Sequence, residues 1–201
     1  MLRPNVRGAL IAVVSACVAV LAACNDAGVA PRNDSLAGPA LPSLAVASGS
    51  TQTVTTFRVS PNDSGTYDIA GGHQIFIPAG AICDIETSSY GETEWDQPCN
   101  PETDTVTVTA TSWTNPYGRP VVDFQPALRF SPADTVMLYL TDWHAPSDTQ
   151  AEIYYCASNC VDESVADSTQ ATQPDLQQYI LYRRIKHFSG YNIAAGAAPV
   201  R

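Results

Sequence analysis

The sequence predicts an all-β protein, an antiparallel β-sandwich preceded by a signal peptide and a flexible linker. Short segments rich in threonine, valine, isoleucine and tyrosine are separated by proline and glycine turn signals. Val106, Val108 and Ala110 alternate with threonines, which is typical of a strand with one buried and one wet face. Beyond the signal region, no stretch keeps a helical spacing over eleven residues. This pattern favours two packed antiparallel sheets.

Eight strands are predicted within a single domain that spans residues 51–195, with 196–201 as a C-terminal tail. Such a length, roughly 145 residues, is enough for one self-sufficient core. Residues 136–141 are apolar at nearly every position, so we expect that strand to be buried on both faces. Residues 172–178 have room for one short helical turn. The predicted strands are 53–60, 74–78, 105–113, 120–130, 136–141, 151–157, 176–186 and 191–194.

The N-terminus has the three-part layout of a secretory signal over residues 1–23. Arg3 and Arg7 precede an uncharged, mostly apolar run that is too short to span a membrane. The following Leu-Ala-Ala-Cys24 resembles the bacterial lipobox. That resemblance implies a diacylglycerol-modified Cys24 as the first mature residue, anchored in the membrane of the cell envelope, periplasmic or on the outer surface. The alternative is a secreted protein with a chance cysteine.

Residues 24–50 predict a flexible tether. Prolines, glycines, alanines and serines dominate there. The apolar residues follow neither the period of 2 that is typical of a strand nor the period of 3.6 of a helix. The tether would hold the folded domain away from the membrane.

The charge balance excludes two classes of partner. The chain has 20 acidic and 10 basic residues, a net charge of −10. Removing the signal segment takes away two arginines and no acidic residue, so the mature chain is more acidic still. A protein of this charge lacks the basic face that nucleic acids or anionic lipid surfaces require.

Four cysteines lie in the predicted domain, and an even number in an exported domain suggests disulfides. Four cysteines allow three pairings, and proximity in sequence favours Cys83–Cys99 and Cys156–Cys160. The alternative, a zinc site, is disfavoured because no C-x-x-C pair occurs and no histidine lies near these thiols in sequence. We expect no metal and no cofactor.

Three segments together resemble the ZU-five domain of zonula occludens proteins, ankyrins and uncoordinated-five netrin receptors. They are 74–82 (Gln-Ile-Phe-Ile-Pro-Ala-Gly-Ala-Ile), then 121–132 followed by 135–140, in which Ala127 replaces the usual glycine, and His187-Phe-Ser-Gly-Tyr191. The resemblance implies a β-sandwich. It also implies an interaction or supporting role, and a subset of the family cleave themselves at a His-Phe-Ser site.

The His187-Phe188-Ser189 segment has the groups for such a cleavage. Ser189 Oγ would attack the Phe188 carbonyl, with His187 as general base, and water would hydrolyse the resulting ester. The alternative interpretation is structural: Phe188 packs inward, and Ser189 and Gly190 make the bend into the last strand.

Other polar and aromatic groups give weaker indications. His73 is predicted to be a turn residue, and Asp142-Trp143-His144 to be a loop. An acidic loop is more typical of a solvated face than of a calcium site. Five aromatic residues would form a sugar-stacking platform if they shared a face. The acidic residues are Glu86, Glu92, Glu94 and Asp96, and the aromatic ones are Tyr90, Trp95, Trp113, Tyr117 and Trp143.

Three functions follow from these observations. The leading hypothesis is a non-enzymatic envelope lipoprotein whose β-sandwich is an interaction or supporting module with a protein or glycan partner. The second is a module that cleaves itself once between Phe188 and Ser189. The third is a carbohydrate-binding surface module.

Overall fold

The computed structural model describes residues 45–147, 150–156 and 160–195, which all lie in one compact unit, Ala37–Arg201. The fold is all-β and antiparallel, as the sequence predicts. The predicted signal peptide, Cys24, most of the tether and the C-terminal tail lie outside the described residues. Within the described part of the chain, no helix is long and apolar enough to cross a membrane.

Within the residues that the structure describes, eleven strands form two sheets. One sheet has six strands in the order β1-β4-β5-β11-β7-β8, and the other has five in the order β2-β3-β6-β10-β9. Three single 3₁₀ turns lie at Ala145–Ser147, Glu163–Val165 and Ser168–Gln170. The strands are β1 (Thr53–Val59), β2 (Gly65–Ile69), β3 (His73–Ile77), β4 (Val106–Thr114), β5 (Pro120–Gln125), β6 (Val136–Thr141), β7 (Ala151–Cys156), β8 (Cys160–Val161), β9 (Gln173–Asp175), β10 (Ile180–Ile185) and β11 (Tyr191–Ala195).

The core lies between the two sheets and is built by the alternation that the sequence displays. In β4, Val106, Val108 and Ala110 are buried while the threonines between them point away from the core. Phe124, Phe130 and Phe188 form an aromatic group in this core, with the rings of Phe124 and Phe188 stacked at 4.5 Å.

The expectation of a strand buried on both faces at 136–141 is wrong. Val136, Leu138 and Leu140 are fully buried, but Met137 and Tyr139 on the opposite face are only half-buried. The outer face of that sheet is therefore partly wet.

Two predicted strands are too long. β5 ends at Gln125 because the next residue, Pro126, has no amide hydrogen to donate to a ladder. The predicted strand 176–186 begins only at Ile180, since residues 176–179 form a turn in which Tyr179 has φ 58°. In place of a helical turn within 172–178, the chain forms the short strand β9 and that turn.

The Pro78-Ala-Gly-Ala81 turn has a structural role. Gly80 has φ +74°, which glycine adopts without steric cost, and its amide donates to the Pro61 carbonyl at 2.8 Å. The Ala79 amide donates to Ser64 Oγ at 2.9 Å. These bonds join the turn to the loop between β1 and β2.

The pairing of β6 with β10 separates two ends of the sandwich. Val136 pairs with Ile185, and Thr141 pairs with Ile180. His187 follows Ile185 and Asp142 follows Thr141, so the two residues lie at opposite ends of one strand pair. Five steps at about 3.4 Å each separate these ends by roughly 17 Å.

Candidate functional site

The His187-Phe188-Ser189 segment continues beyond β10 as a paired, mostly buried strand end. The Phe188 amide donates to the Leu128 carbonyl at 2.7 Å, and His187 bridges to Arg129. The Phe188 ring is fully buried against Phe124. The peptide between Phe188 and Ser189 is therefore held at the margin of the core.

The imidazole of His187 is fixed by a buried carboxylate. His187 Nε2 lies 2.8 Å from Glu163 Oε1, and Arg183 Nη2 donates to Glu163 Oε2 at 3.3 Å. All three side chains are buried, Arg183 and His187 completely. Because the guanidinium balances the carboxylate, Glu163 accepts the Nε2 proton of His187.

A local turn places Glu163 in this position. The Asp162 side chain caps the turn by accepting from the Ser164 amide at 2.9 Å. Glu163 is the first residue of that turn and is directed inward.

Tyr90 completes the cluster from a distant loop. Its hydroxyl donates to the Phe188 carbonyl oxygen at 2.6 Å and lies 3.3 Å from His187 Nδ1. Burial raises the pKa of Tyr90 to about 12. Tyr90 therefore stays protonated at neutral pH and is a donor aimed at the carbonyl of the predicted scissile bond.

The Ser189 hydroxyl is enclosed without a partner. Its Oγ has no hydrogen bond to any described residue. The two ring nitrogens of His187 face Glu163 and Tyr90. Neither nitrogen of His187 is therefore hydrogen-bonded to Ser189 Oγ.

Aromatic rings enclose the imidazole. Trp95 stacks on His187 at 3.8 Å, and Tyr155 meets it edge-on at 4.5 Å. The Tyr191 hydroxyl donates to the His187 carbonyl at 3.0 Å, and burial raises the pKa of Tyr191 well above its usual value. This packing leaves the ring little freedom to move.

The loop that carries Tyr90 and Trp95 is fastened to the sandwich in two ways. The Cys83–Cys99 disulfide, with Cα atoms 5.5 Å apart, closes its base. The Arg129 guanidinium donates to the carbonyls of Glu94 and Gln97. The second disulfide, Cys156–Cys160, joins β7 to β8 with Cα atoms 4.0 Å apart.

Lys186 connects the same loop to the segment that carries Asp167. Its ammonium contacts Asp96 of the acidic loop and lies 2.8 Å from Asp167. The Lys186 bond holds the pKa of Asp167 at about 2. Burial lowers the pKa of Lys186, but its bonds to the two aspartates outweigh this and leave it raised.

The acidic loop shows no metal geometry. Asp96 faces Lys186. Among the described residues, no group of three or more His, Cys, Asp or Glu side chains is arranged to hold a metal ion.

The five predicted aromatic residues do not form one platform. Tyr90 and Trp95 pack at the His187 end, whereas Trp113 and Trp143 lie at the opposite end around a separate pocket. Tyr117 lies in the turn between β4 and β5, next to Gly118 of the pocket wall.

The prediction that His73 is a turn residue is wrong. It is the first residue of β3, it is buried, and its Nδ1 accepts from the Thr141 amide at 3.0 Å. Residues 142–144 do form a loop, in which Asp142 is buried and lies 2.5 Å from the Arg119 guanidinium.

Comparison with known proteins gave no match: no family model, no curated protein and no solved structure aligns with the chain. The resemblance to the ZU-five domain stays a prediction from three motifs.

Proposed function

We propose that the protein is a lipoprotein of the bacterial cell envelope, exported, anchored through Cys24, and acting as a non-enzymatic interaction or supporting module. The observation that carries this proposal is the pair of disulfides, Cys83–Cys99 and Cys156–Cys160. Such bonds persist in oxidising compartments outside the cytoplasm. They agree with the secretory layout of residues 1–23 and the lipobox that ends in Cys24.

The packing of the chemistry-bearing residues supports a binding or supporting role. His187 and Arg183 are fully buried, and Trp95 and Tyr90 of the disulfide-bounded loop pack against His187. The Glu163 network is the pair of bonds that Glu163 makes to Arg183 and His187. It joins the turn at Glu163–Val165 to β10 and, through His187, to the loop. The protein would then act through its surface, and the Glu163 network would stabilise the fold beneath it.

Lipidation is tested with a matched pair of cysteine variants. Cys24→Ser should leave an unprocessed or water-soluble precursor, because no thiol remains to be acylated. Cys17→Ser, inside the apolar signal, should behave like the wild type. The readouts are detergent partition and the sensitivity of processing to globomycin. A wild-type protein that partitions into water and is processed despite globomycin would overturn the anchoring.

Self-cleavage between Phe188 and Ser189 is the second candidate, and one observation favours it. Tyr90 places a donor 2.6 Å from the Phe188 carbonyl oxygen, where negative charge would develop on attack by Ser189 Oγ. The Oγ–C bond forms, the C–N peptide bond breaks, and the serine hydroxyl proton ends on the departing amide nitrogen. Water then hydrolyses the ester to a Phe188 carboxylate and a free Ser189 hydroxyl.

The cleaved product would keep its fold. The released segment would run from Ser189 to Arg201 and contain β11, in which Tyr191 pairs with Val122 on one side and Tyr155 on the other. These ladders would hold the segment in the sheet, so gel filtration would show one species. Mass spectrometry under denaturing conditions separates the fragment, and a single intact mass after days at neutral pH would overturn this candidate.

A further inference from the structure

We propose that the end of the sandwich opposite His187 carries a pocket for one uncharged sugar ring, such as the terminal hexose of a glycan. The inference rests on the proposed function in one respect: it names the partner chemistry of the interaction module. Sugar binding itself requires neither the lipid on Cys24 nor cleavage at Ser189.

The pocket opens where β3 begins and where β4 and β6 end. Its volume is about 260 Å³, and its walls include His73, Ser112, Trp113, Asp142 and Trp143. Pockets for drug-sized ligands run from about 300 to 1,000 Å³. This cup is therefore suited to a single ring.

His73 provides a hydrogen-bond donor that faces the pocket. Its Nδ1 accepts from the Thr141 amide at 3.0 Å, and burial lowers the pKa of His73 to about 4. The ring is therefore neutral at pH 7 and carries its proton on Nε2. No hydrogen bond joins Nε2 to another described residue, although the side chain is only 4% exposed.

Gly71 keeps this donor accessible. Gly71 also lines the pocket, and a Cβ there would lie 2.8 Å from His73 Nε2. The residue also has φ +94°, a conformation that glycine adopts readily. A side chain at this position would block access to the His73 Nε2 donor.

The charges at the base of the pocket balance. Asp142 is fully buried, and its Oδ2 lies 2.5 Å from Arg119 Nη1. Its Oδ1 accepts from the His144 amide at 3.0 Å. Hydroxyl groups make up much of the remaining wall, from Thr51, Thr53, Thr114 and Thr141. Such a lining matches a ligand rich in hydroxyls. The Arg119 charge is already matched by Asp142, so a carboxylate or phosphate would gain no extra charge from that guanidinium.

Exposed aromatic rings stand at the mouth. Trp143 is 71% exposed, and its ring packs on Tyr179 at 5.0 Å. Tyr179 has φ 58°, an uncommon conformation for a bulky residue and one that clusters at ligand sites. Tyr117, 49% exposed, precedes Gly118 of the pocket wall, and its amide and that of Arg119 donate to Asn115 Oδ1. An apolar face beside polar groups is the surface on which a sugar ring stacks.

The test uses the full chain purified in detergent. A printed array of neutral and anionic oligosaccharides identifies the preferred ring, and calorimetry with its methyl glycoside gives the affinity. We expect binding of a neutral hexose at millimolar concentration or better, and weaker binding of glucuronic acid.

Two variants locate the binding, and a third is the control. Trp143→Ala removes the stacking face. His73→Asn keeps an acceptor for the Thr141 amide and removes the Nε2 donor. Each should weaken binding about tenfold or more, the effect of losing about 1.4 kcal/mol. Val165→Ala changes an apolar residue that is 74% exposed in the turn next to Glu163, and it should bind like the wild type. Thermal unfolding checks that each variant folds.

The proposal is overturned if no neutral sugar binds at about 10 mM, or if folded Trp143→Ala binds as the wild type does. Preferential binding of an anionic sugar or of an extended peptide would also overturn it. A protein that partitions into water yet binds sugar through Trp143 would refute the anchoring and leave the pocket assignment standing.

Discussion

The hydroxyl of Tyr90 donates a 2.6 Å hydrogen bond to the carbonyl oxygen of Phe188, a residue 98 positions later in the chain. The bond joins the disulfide-bounded loop to the backbone that follows β10. It also brings the loop within 3.3 Å of His187 Nδ1. The loop is therefore part of the cluster around His187, and its attachment can be measured as stability.

Tyr90→Phe should lower the free energy of unfolding by about 1–2 kcal/mol. The variant keeps the ring but leaves the Phe188 carbonyl without its donor, and an unpaired, largely buried carbonyl carries that cost. Urea unfolding under non-reducing conditions gives the value. Tyr182→Phe is the control, because the Tyr182 hydroxyl makes no hydrogen bond to a described residue and only its ring stacks on Tyr139. Equal losses in the two variants would contradict this account.

The two disulfides should differ in their effects. Replacing Cys83 and Cys99 by serine opens a loop with a sequence separation of 16 and should cost about 3 kcal/mol by loop entropy. The same change at Cys156 and Cys160, with a separation of 4, should cost about 2 kcal/mol.

Only the first change should also release Trp95 from its stack on His187. Tryptophan emission should then shift to the red below the unfolding transition. The opposite result is an emission shift when Cys156 and Cys160 are replaced and none when Cys83 and Cys99 are replaced. It would show that the Cys83–Cys99 disulfide does not hold the loop on the cluster.

The sequence predicts the fold class because most strands carry their own alternation. β4 is the clearest case, since its buried residues are valines and alanine and its outward residues are threonines. Three strands escape such reasoning: β2, β8 and β9. They have five, two and three residues, and in β2 only Ile69 is buried. Pairing with a neighbouring strand, rather than an apolar pattern, makes these segments strands.

The His187 cluster could be predicted only in part. The His-Phe-Ser motif indicates His187 and Ser189, and the proximity of Cys83 to Cys99 in sequence predicts a closed loop. Glu163 and Tyr90 lie 24 and 97 residues from His187, and no spacing in the sequence connects them. Their meeting depends on how β10 and the loop dock, which the order of residues does not encode locally.

His73 should make stability depend on pH between about 4 and 6.5. Its pKa is about 4 in the folded chain because burial disfavours the charged ring, although the Asp142 carboxylate opposes this. In the unfolded chain the pKa returns to about 6.5. Within this window the unfolded state binds more protons, so stability rises with pH. The gain should be up to about 3 kcal/mol.

His73→Asn isolates this contribution from that of the carboxylates. The stability difference between wild type and variant should grow in favour of the wild type from pH 4 to 6.5 and stay constant from pH 7 to 8. Urea unfolding at half-unit intervals measures it. A difference that is flat across the whole range would mean that burial in the fold does not lower the pKa of His73.

Self-cleavage, if the cluster performs it, should respond to each group according to its place in the geometry. Ser189→Ala should abolish the Ser189–Arg201 fragment because the attacking oxygen is gone. Tyr90→Phe should slow its appearance about 10²–10³-fold, the usual effect of losing one donor to a developing oxyanion. His187→Ala should slow it by about 10²–10⁴-fold, as expected for a general base.

Ser89→Ala, an exposed serine in the same loop as Tyr90, should leave the rate unchanged. Denaturing mass spectrometry over days at neutral pH follows all four. A fragment that forms in Tyr90→Phe as fast as in the wild type would exclude the Tyr90 hydroxyl as the oxyanion donor, and the bond to Phe188 would then serve only to hold the loop.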